Sequence, residues 1–476
     1  MTKRVFQHLY DAEDFRLHGH KTIDILAQYL HNCVEENYQS VLPDRKPEEV
    51  FRAWDTDFAL DKDFDLEAYF AQVLAEGNKL HHPKYLGHQV SSPLPKAALS
   101  YAVAAFANNI SAVYEMAPVS NSMERIAIKW LAKEIGYADA AEGFFTSGGT
   151  LGNLTALLAA RQAKAGYDAW NEGHRADYPL AILVSGQSHY SVQRAAGIMG
   201  LGKQGVIAVA ADADFKLDIN DLRRQYKEAE KRGLKVFAVA ANACSTATGT
   251  YDDLDAIADF CREHDLWLHV DGAHGATALL SQKYRHLCQG IERADSVIWD
   301  MHKMMTMPAL VTAVIFKDGG NSYKIFEQKG ASYILAKDNS GNWWDVGVRS
   351  LECTRPAMGF EFYTTLKAYG KEYFAEYIEY IYDLARWFAD TLEQSGDFKV
   401  LKRPESNIVC FRYTATDGDL NQIQKNIRAK LLASEEYYIV KTEIDGQFYL
   451  RVTIINPLTA KEDLQALMQK IASLAE

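Results

Sequence analysis

The sequence predicts an α/β fold: a mostly parallel central sheet with helices on both faces, followed by a small C-terminal α+β domain. Three observations carry this. From Gly143 to about Phe316, short apolar β-type runs alternate with helical patterns. Those runs lack the polar alternation of a half-wet strand, as expected when both faces of a strand are buried. Beyond a long helical stretch, the pattern changes to three further strand runs interleaved with two helices, which is a second and smaller sheet.

Taken in order, Leu17–Leu30 carries Ile23, Ile25, Leu26, Tyr29 and Leu30 at near-helical spacing, and a second helix runs through Leu66, Tyr69, Phe70, Val73 and Leu74. This segment is too small to enclose a core, so its apolar faces are expected to pack on another domain or a second subunit. The Pro-, Ser- and Gly-rich run from His82 to Pro93 reads as loop. A helix is expected over Met123–Ile135, with Asn121 or Ser122 as N-cap and Gly136 as its stop. The strand runs are then Phe144-Phe145, Leu180–Val184, Val206–Val209, Val236–Val239, Leu266–Val270, Val297–Trp299 and Val311–Phe316. Lys324–Trp344 is of mixed polarity and reads as a mobile loop. A long helix over Phe360–Gln394 follows, then strands over Lys399–Tyr413, Tyr437–Thr442 and Phe448–Ile455, with helices over Leu420–Ser434 and Ala460–Ala475. The implied division is a helical arm (1–80), a large α/β domain (81–370) and a small α+β domain (371–476).

Composition narrows the function classes. The chain has 476 residues, 48% hydrophobic and 24% charged, which is ordinary for a soluble globular protein of two or three domains. A net charge of −12 argues against nucleic acid or an anionic membrane as partner. Six cysteines stand singly with no C-x-x-C pair, so neither a disulfide framework nor a metal site is expected. The N-terminus MTKRVFQHLYDAEDF has no apolar signal core and no run reaches membrane-spanning length, so a cytoplasmic location is expected.

The chemistry concentrates at two strand ends. Leu266–Val270 delivers Asp271, and Ser296–Trp299 delivers Asp300-Met301-His302-Lys303. Ligands of parallel sheets collect at the carboxyl ends of the strands. An acid and a lysine placed there suit pyridoxal 5′-phosphate: the lysine amine bonds to its aldehyde, with burial beside cationic groups expected to lower the amine's pKa, and the acid keeps the ring nitrogen protonated. Upstream, Thr146-Ser147-Gly148-Gly149-Thr150 joins a strand to a helix. Glycines there let backbone amides approach an anion, and the helix adds its N-terminal dipole. Gly200-Leu-Gly202-Lys-Gln-Gly205 matches a dinucleotide fingerprint, but a helical stretch precedes it and a strand follows. That inverted order makes it a helix-to-strand connection.

HVDGAHG and DMHKMM resemble the HVDAAYG and NPHKW segments of the group II pyridoxal-phosphate-dependent amino-acid decarboxylases, a family acting on glutamate, cysteine sulfinate, 2,4-diaminobutyrate and aromatic amino acids. The resemblance extends over almost the whole chain and is strongest from His82 to Pro308. It implies the aspartate-aminotransferase-like fold and a homodimer wrapped by the N-terminal arm. It also implies cofactor contacts from Gly148, Gly149, Thr150, His189, Thr246, Asp271, Ala273, His302 and Lys303. His189 would stack on the ring, Gly149, Thr150 and His302 would meet the phosphate, and Thr246 and Ala273 would pack near the ring. The resemblance assigns Arg451, in the strand Tyr449–Ile455, to the substrate α-carboxylate, where a guanidinium fork suits the clamp. His88, Gln89, Ser91 and Ser92 would select the side chain.

Two departures stand out. Asp300 occupies a position commonly Asn near the phosphate, and an anion there repels a phosphate unless it is paired or turned away. Related enzymes use a loop tyrosine to reprotonate the substrate carbon after carbon dioxide leaves. Here Trp343 and Trp344 occupy that part of the loop and Tyr333 lies at its start, so Tyr333, His189 or water remain as proton sources. The segments Gly330–Tyr333 and Ser350–Arg355 look most like the glutamate and cysteine-sulfinate branch. The expected reaction is decarboxylation of an acidic L-amino acid (glutamate, aspartate or cysteine sulfinate) to its amine. The alternatives are 2,4-diaminobutyrate, an aromatic amino acid, an aminotransferase or aldehyde-forming reaction on the same fold, and a catalytically silent cofactor-binding scaffold.

Overall fold

A computed structural model describes residues 6–38, 40–326 and 344–475. Most of the loop expected over Lys324–Trp344, with Tyr333 and Trp343, lies outside the described residues. The strands, numbered in chain order, are β1 Tyr85–Leu86, β2 Glu142–Thr146, β3 Leu180–Ser185, β4 Val206–Val209, β5 Lys235–Asn242, β6 Trp267–Asp271, β7 Ser296–Asp300, β8 Thr312–Phe316, β9 Phe398–Val400, β10 Ile408–Tyr413, β11 Tyr438–Ile444 and β12 Gln447–Thr453. The chain divides into two compact units. One comprises Met1–His88, Phe388–Leu401 and Cys410–Glu476, and the other Gln89–Trp387 and Lys402–Val409.

The larger unit holds a seven-stranded sheet in the order β2-β8-β7-β6-β5-β3-β4. Pairings β3–β4, β3–β5, β5–β6 and β6–β7 are parallel, and only β8 runs against its neighbours β7 and β2. The α/β class and its largely parallel sheet are therefore as the apolar runs predict. Every residue of β3, β6, β7 and β8 is buried, which explains the missing polar alternation. The helix Gly149–Lys164 covers one face, with Gly152 to Ala160 all buried. Gly152 permits that close packing, since a Cβ there would meet Ile298 Cγ2 at 3.1 Å and Thr312 Cγ2 at 3.2 Å.

Some boundaries differ for identifiable reasons. The helix expected over Met123–Ile135 begins at Pro118, whose ring presets the helical φ and whose missing N–H costs nothing in the first turn. Ser122 sits inside that turn and donates to the Pro118 carbonyl (2.8 Å) rather than capping. The helix ends as expected at Gly136, in the left-handed region at φ +97°. The long helix spans Met358–Gln394 but breaks its helical geometry at Gly370 (φ 76°, ψ 165°). The strand expected over Lys399–Tyr413 is two antiparallel strands, with Val400 opposite Phe411. The run Gly200–Gly205 lies between the helix Tyr190–Ile198 and β4, so it has the inverted order foreseen.

The smaller unit carries the sheet β1-β11-β12-β10-β9 and the helices Leu420–Ala433 and Lys461–Ala475. The N-terminal helices Ala12–Val34 and Leu66–Glu76 belong to this unit. Backbone bonds tie the segment in: Val41 N–H to Glu435 O (2.8 Å) and Lys79 N–H to Val41 O (3.0 Å). Among the described residues, no helix is long and apolar enough to cross a membrane.

Candidate active site

The parallel strands of the larger unit deliver their loops to one edge of the sheet. After β2 the chain turns at Gly148 (φ +104°), whose N–H is taken by the Thr146 carbonyl at 2.9 Å, and enters the helix Gly149–Lys164. Gly149 lies directly on Asp300: a Cβ there would stand 3.1 and 3.2 Å from its two carboxylate oxygens. After β3, His189 caps the helix Tyr190–Ile198 and accepts at Nδ1 from the Ser191 N–H (3.3 Å). Asp271 ends β6, paired in register with Asn242 on one side and Ile298 on the other, at the centre of the sheet. Its carboxylate accepts from the Ala273 N–H (3.1 Å) and from Asn153 Nδ2 (2.9 Å).

These groups share one pocket of about 240 Å³. Its wall includes Asp271, Ala273, His302 and Lys303 from the ends of β6 and β7, together with His189 and Thr246 from those of β3 and β5. Gly149 and Thr150 close it at the helix N-terminus. Eight of the residues expected from sequence are thereby brought together, while Gly148 supplies the turn behind them. Gln89 and Ser91, in the same unit, are not part of this wall. Ser91 instead donates to the His302 carbonyl (3.2 Å), fastening its loop to the lysine segment. Gln89 Nε2 is buried and has no hydrogen-bond partner among the described residues. His88 and Arg451 belong to the smaller unit, where His88 Nε2 meets the Tyr438 hydroxyl (2.9 Å) and Arg451, 6% exposed, pairs with Val440. A larger cleft of about 730 Å³ in the larger unit, flanked by Asp212, Lys216 and His286, includes none of the expected site residues.

The electrostatics depart from expectation at the lysine. Lys303 Nζ lies 3.1 Å from Asp300 Oδ2, and His302 Nε2 lies 3.5 Å from the same oxygen. Burial pulls the Lys303 amine down, but the Asp300 and Asp271 carboxylates outweigh it and hold the amine above its ordinary value. The expected lowering of this pKa is therefore reversed, because carboxylates rather than cations surround the amine. Burial likewise raises Asp300, yet Lys303, His302 and the Thr312 hydroxyl (2.5 Å) bring its carboxyl below the usual range. Paired in this way, Asp300 does not stand as a bare anion against the glycine loop.

Several functional groups carry no motif and escape a sequence reading. Asn153 binds Asp271, Ser191 and His269 (2.9, 2.9 and 2.8 Å), and Asn242 accepts from Ser188 beside His189 (3.2 Å). One signal was available. His269 stands two residues before Asp271, hence on the same strand face, and an imidazole inside so apolar a run needs a buried partner.

The residues present fit pyridoxal phosphate on structural grounds. A buried carboxylate stands at the sheet centre, a lysine borders the same pocket, and the helix N-terminus opens at a glycine whose Cα rests on the opposite wall. The model of the pyridoxal-dependent decarboxylase conserved domain matches residues 63–414. The chain is 32% identical over 361 residues to an aromatic-L-amino-acid decarboxylase of Bacillus atrophaeus, covering 75% of this chain and 74% of that protein. It is 31% identical over 412 residues to the human acidic amino acid decarboxylase GADL1, covering 84% and 78%. The crystal structure of mouse CSAD superposes with a TM-score of 0.90 at 26% identity, covering 98% of this chain and 100% of that one. With a family match over most of its length and the lysine and acid in one pocket, this chain belongs to the pyridoxal-dependent decarboxylases, enzymes that remove the carboxyl group of an amino acid with pyridoxal phosphate as cofactor.

Proposed function

We propose that the chain decarboxylates an acidic L-amino acid, namely glutamate, aspartate or cysteine sulfinate, to the corresponding amine. One observation carries the substrate class. In the smaller unit, His88 is driven below its ordinary pKa by burial and by two guanidiniums, Arg451 and Arg428. Two guanidiniums near one histidine suit a substrate with two anionic groups, and Arg451 is held almost out of water, where a charge-assisted bond to a carboxylate is strong. The name of the acidic amino acid decarboxylase relative supports the same class. The orphaned Gln89 amide is a further donor for a substrate acceptor.

The roles follow. Lys303 holds the cofactor covalently and Asp271 keeps its ring nitrogen protonated. When bound, the cofactor supplies the electron sink for the pair left at the substrate α-carbon. Gly149, Thr150 and His302 bind its phosphate, with Gly148 shaping the turn. His189, Thr246 and Ala273 enclose the ring. Arg451 binds the α-carboxylate, and His88, Gln89 and Ser91 select the side chain. Tyr333 returns the proton to the substrate carbon. The larger unit exposes Phe106 (73%) and Val119 (63%), among other apolar side chains, which supports a homodimer. Six free thiols suit the reducing cytoplasm.

The test is carbon dioxide release from a panel of amino acids with added cofactor. The highest kcat/KM is expected for glutamate, aspartate or cysteine sulfinate, with loss of that preference in Arg428→Met. A preference for 2,4-diaminobutyrate or an aromatic amino acid, or a requirement for an oxo-acid acceptor, overturns the proposal.

A further inference from the structure

Behind the pocket wall, a row of buried polar groups runs between β6, β7 and the helix Gly149–Lys164. Trp267, His269 and Asp271 alternate along β6 and so share one face of the sheet. Trp267 Nε1 reaches Ser296 Oγ at 2.9 Å, and Ser296 Oγ reaches His269 Nδ1 at 2.9 Å. His269 Nε2 meets Asn153 Oδ1 at 2.8 Å. Asn153 Nδ2 meets both Asp271 Oδ2 and Ser191 Oγ at 2.9 Å, and Ser191 Oγ meets His189 Nδ1 at 2.8 Å.

The bond directions are set by two groups that act in one sense only, the Asp271 carboxylate and the Ser191 backbone N–H. An indole N–H can only donate, so Ser296 accepts from Trp267 and keeps its own proton and a second lone pair for His269 Nδ1. At the other end a carboxylate can only accept, so Asn153 turns its NH₂ toward Asp271. That places its oxygen toward His269, so Nε2 carries the proton of the neutral ring and Nδ1 is left to accept from Ser296. The second amide hydrogen goes to Ser191 Oγ, and because the Ser191 backbone N–H can only donate, His189 Nδ1 is an acceptor for the hydroxyl proton as well. The Ser191 backbone N–H points at the same nitrogen from 3.3 Å. Two donors meet one lone pair.

We propose that Trp267, Ser296, His269, Asn153 and Ser191 are positioning residues that hold His189 as the neutral imidazole with its proton on Nε2, and so exclude it as the proton source of the reaction. A second proton on His189 would have to enter at Nδ1, against the Ser191 N–H. It would also turn the Ser191 hydroxyl round, leaving that proton without its acceptor. The groups facing His189 do not favour that change decisively. Asp271 and Asp300 attract a proton, Lys303 and Arg194 repel one, and burial lowers the pKa further. The Tyr190 ring, 4.1 Å away between centroids, adds no charge. The inference rests on the assignment of His189 to the cofactor pocket, and it transfers the task of proton return to a group other than this histidine.

The test is long-range ¹H–¹⁵N NMR of the ¹⁵N-histidine-labelled, cofactor-loaded full chain between pH 5 and pH 8, with the His189 signals assigned by their absence in His189→Gln. Wild type should show an unprotonated Nδ1 and a protonated Nε2 over the whole range. Ser191→Ala, which removes the hydroxyl donor, should let His189 titrate inside that window, whereas a merely structural role for Ser191 would lower stability and leave the tautomer unchanged. An Nδ1–H tautomer in wild type, or ordinary titration of wild-type His189 in that window, overturns the proposal. Failure of the substrate proposal would appear separately, in the carbon dioxide panel, and would leave these signals as they are.

Discussion

Acidification should destabilise this protein through His269 in particular. An unfolded chain titrates its histidines near about 6.5, while burial, opposed by the Asp271 carboxylate, pushes His269 down to about 4. Because the folded value is the lower one, the unfolded state takes up the proton first. The stability held in a neutral His269 is complete above the unfolded value and drains away as pH falls through it toward the folded value. The full gap is worth about 3 kcal/mol, of which about 2 kcal/mol is lost by pH 5. In His269→Gln the amide can still donate to Asn153 but does not titrate, so that slope should vanish even if the variant starts less stable. The assay is urea unfolding followed by tryptophan fluorescence at pH 8 and pH 5 in both proteins. Asp252, raised to about 6 by burial, also titrates across the range, but it does so in both proteins and cancels in the difference. Equal losses in wild type and His269→Gln would refute both the neutral state of His269 and the bond directions built on it.

Three other substitutions probe the pocket and its surroundings. Asp300→Asn removes the larger of the two carboxylate influences that raise Lys303, so the amine should lose its proton at lower pH, and cofactor attachment followed by visible absorbance should extend to lower pH. Gly149→Ala places a Cβ 3.1 Å from Asp300 and should weaken pyridoxal phosphate binding about tenfold or more, while binding of pyridoxal, which lacks the phosphate, changes little. Glu361 is raised to about 7 by burial and has a buried oxygen without a partner, so its contribution to stability is complete below the unfolded value and is lost as pH rises through the folded one. Glu361→Gln should therefore gain about 3 kcal/mol at pH 8 and under about 1 kcal/mol at pH 5, read from urea midpoints.

Much of the fold is legible in the sequence because a strand buried on both faces has no choice but to be apolar. The runs that become β3, β5, β6 and β7 announce themselves for that reason. The reversed direction of β8 is not visible in its own residues, since Thr312–Phe316 is as apolar as its parallel neighbours. It was visible in the connection, because the segment between Asp300 and Thr312 is too short for a helical crossover to a parallel neighbour. At the site, Asp271 and Lys303 are legible because each ends an apolar run and stands at a strand's carboxyl edge. Asn153, Ser191 and Ser296 are not, being small polar residues with no shared motif. Only the register of β6 on β7 and the seating of one helix bring them together. The sign of the Lys303 perturbation is hidden for a related reason: sequence spacing alone does not show that Asp300, three residues away, touches the amine.

The pocket thus combines two kinds of electrostatic order. Around Lys303 the protons are exchangeable: an ammonium and an imidazole crowd one oxygen of the Asp300 carboxylate, and removing any of the three changes the others. Around His189 they are assigned, with the Asp271 carboxylate and the Ser191 backbone N–H fixing the directions. Asp271 belongs to both systems, accepting from Asn153 while lying in the field of Lys303. A buried ion pair is weak support for stability, whereas a buried hydrogen-bond row with no unmet partner is good support for a single geometry. Substitutions around Asp300 should therefore move pH dependence, and substitutions along the Trp267–Ser191 row should cost stability and loosen His189. A variant in the row that shifted the Lys303 titration without freeing His189 would mean that the two systems are one.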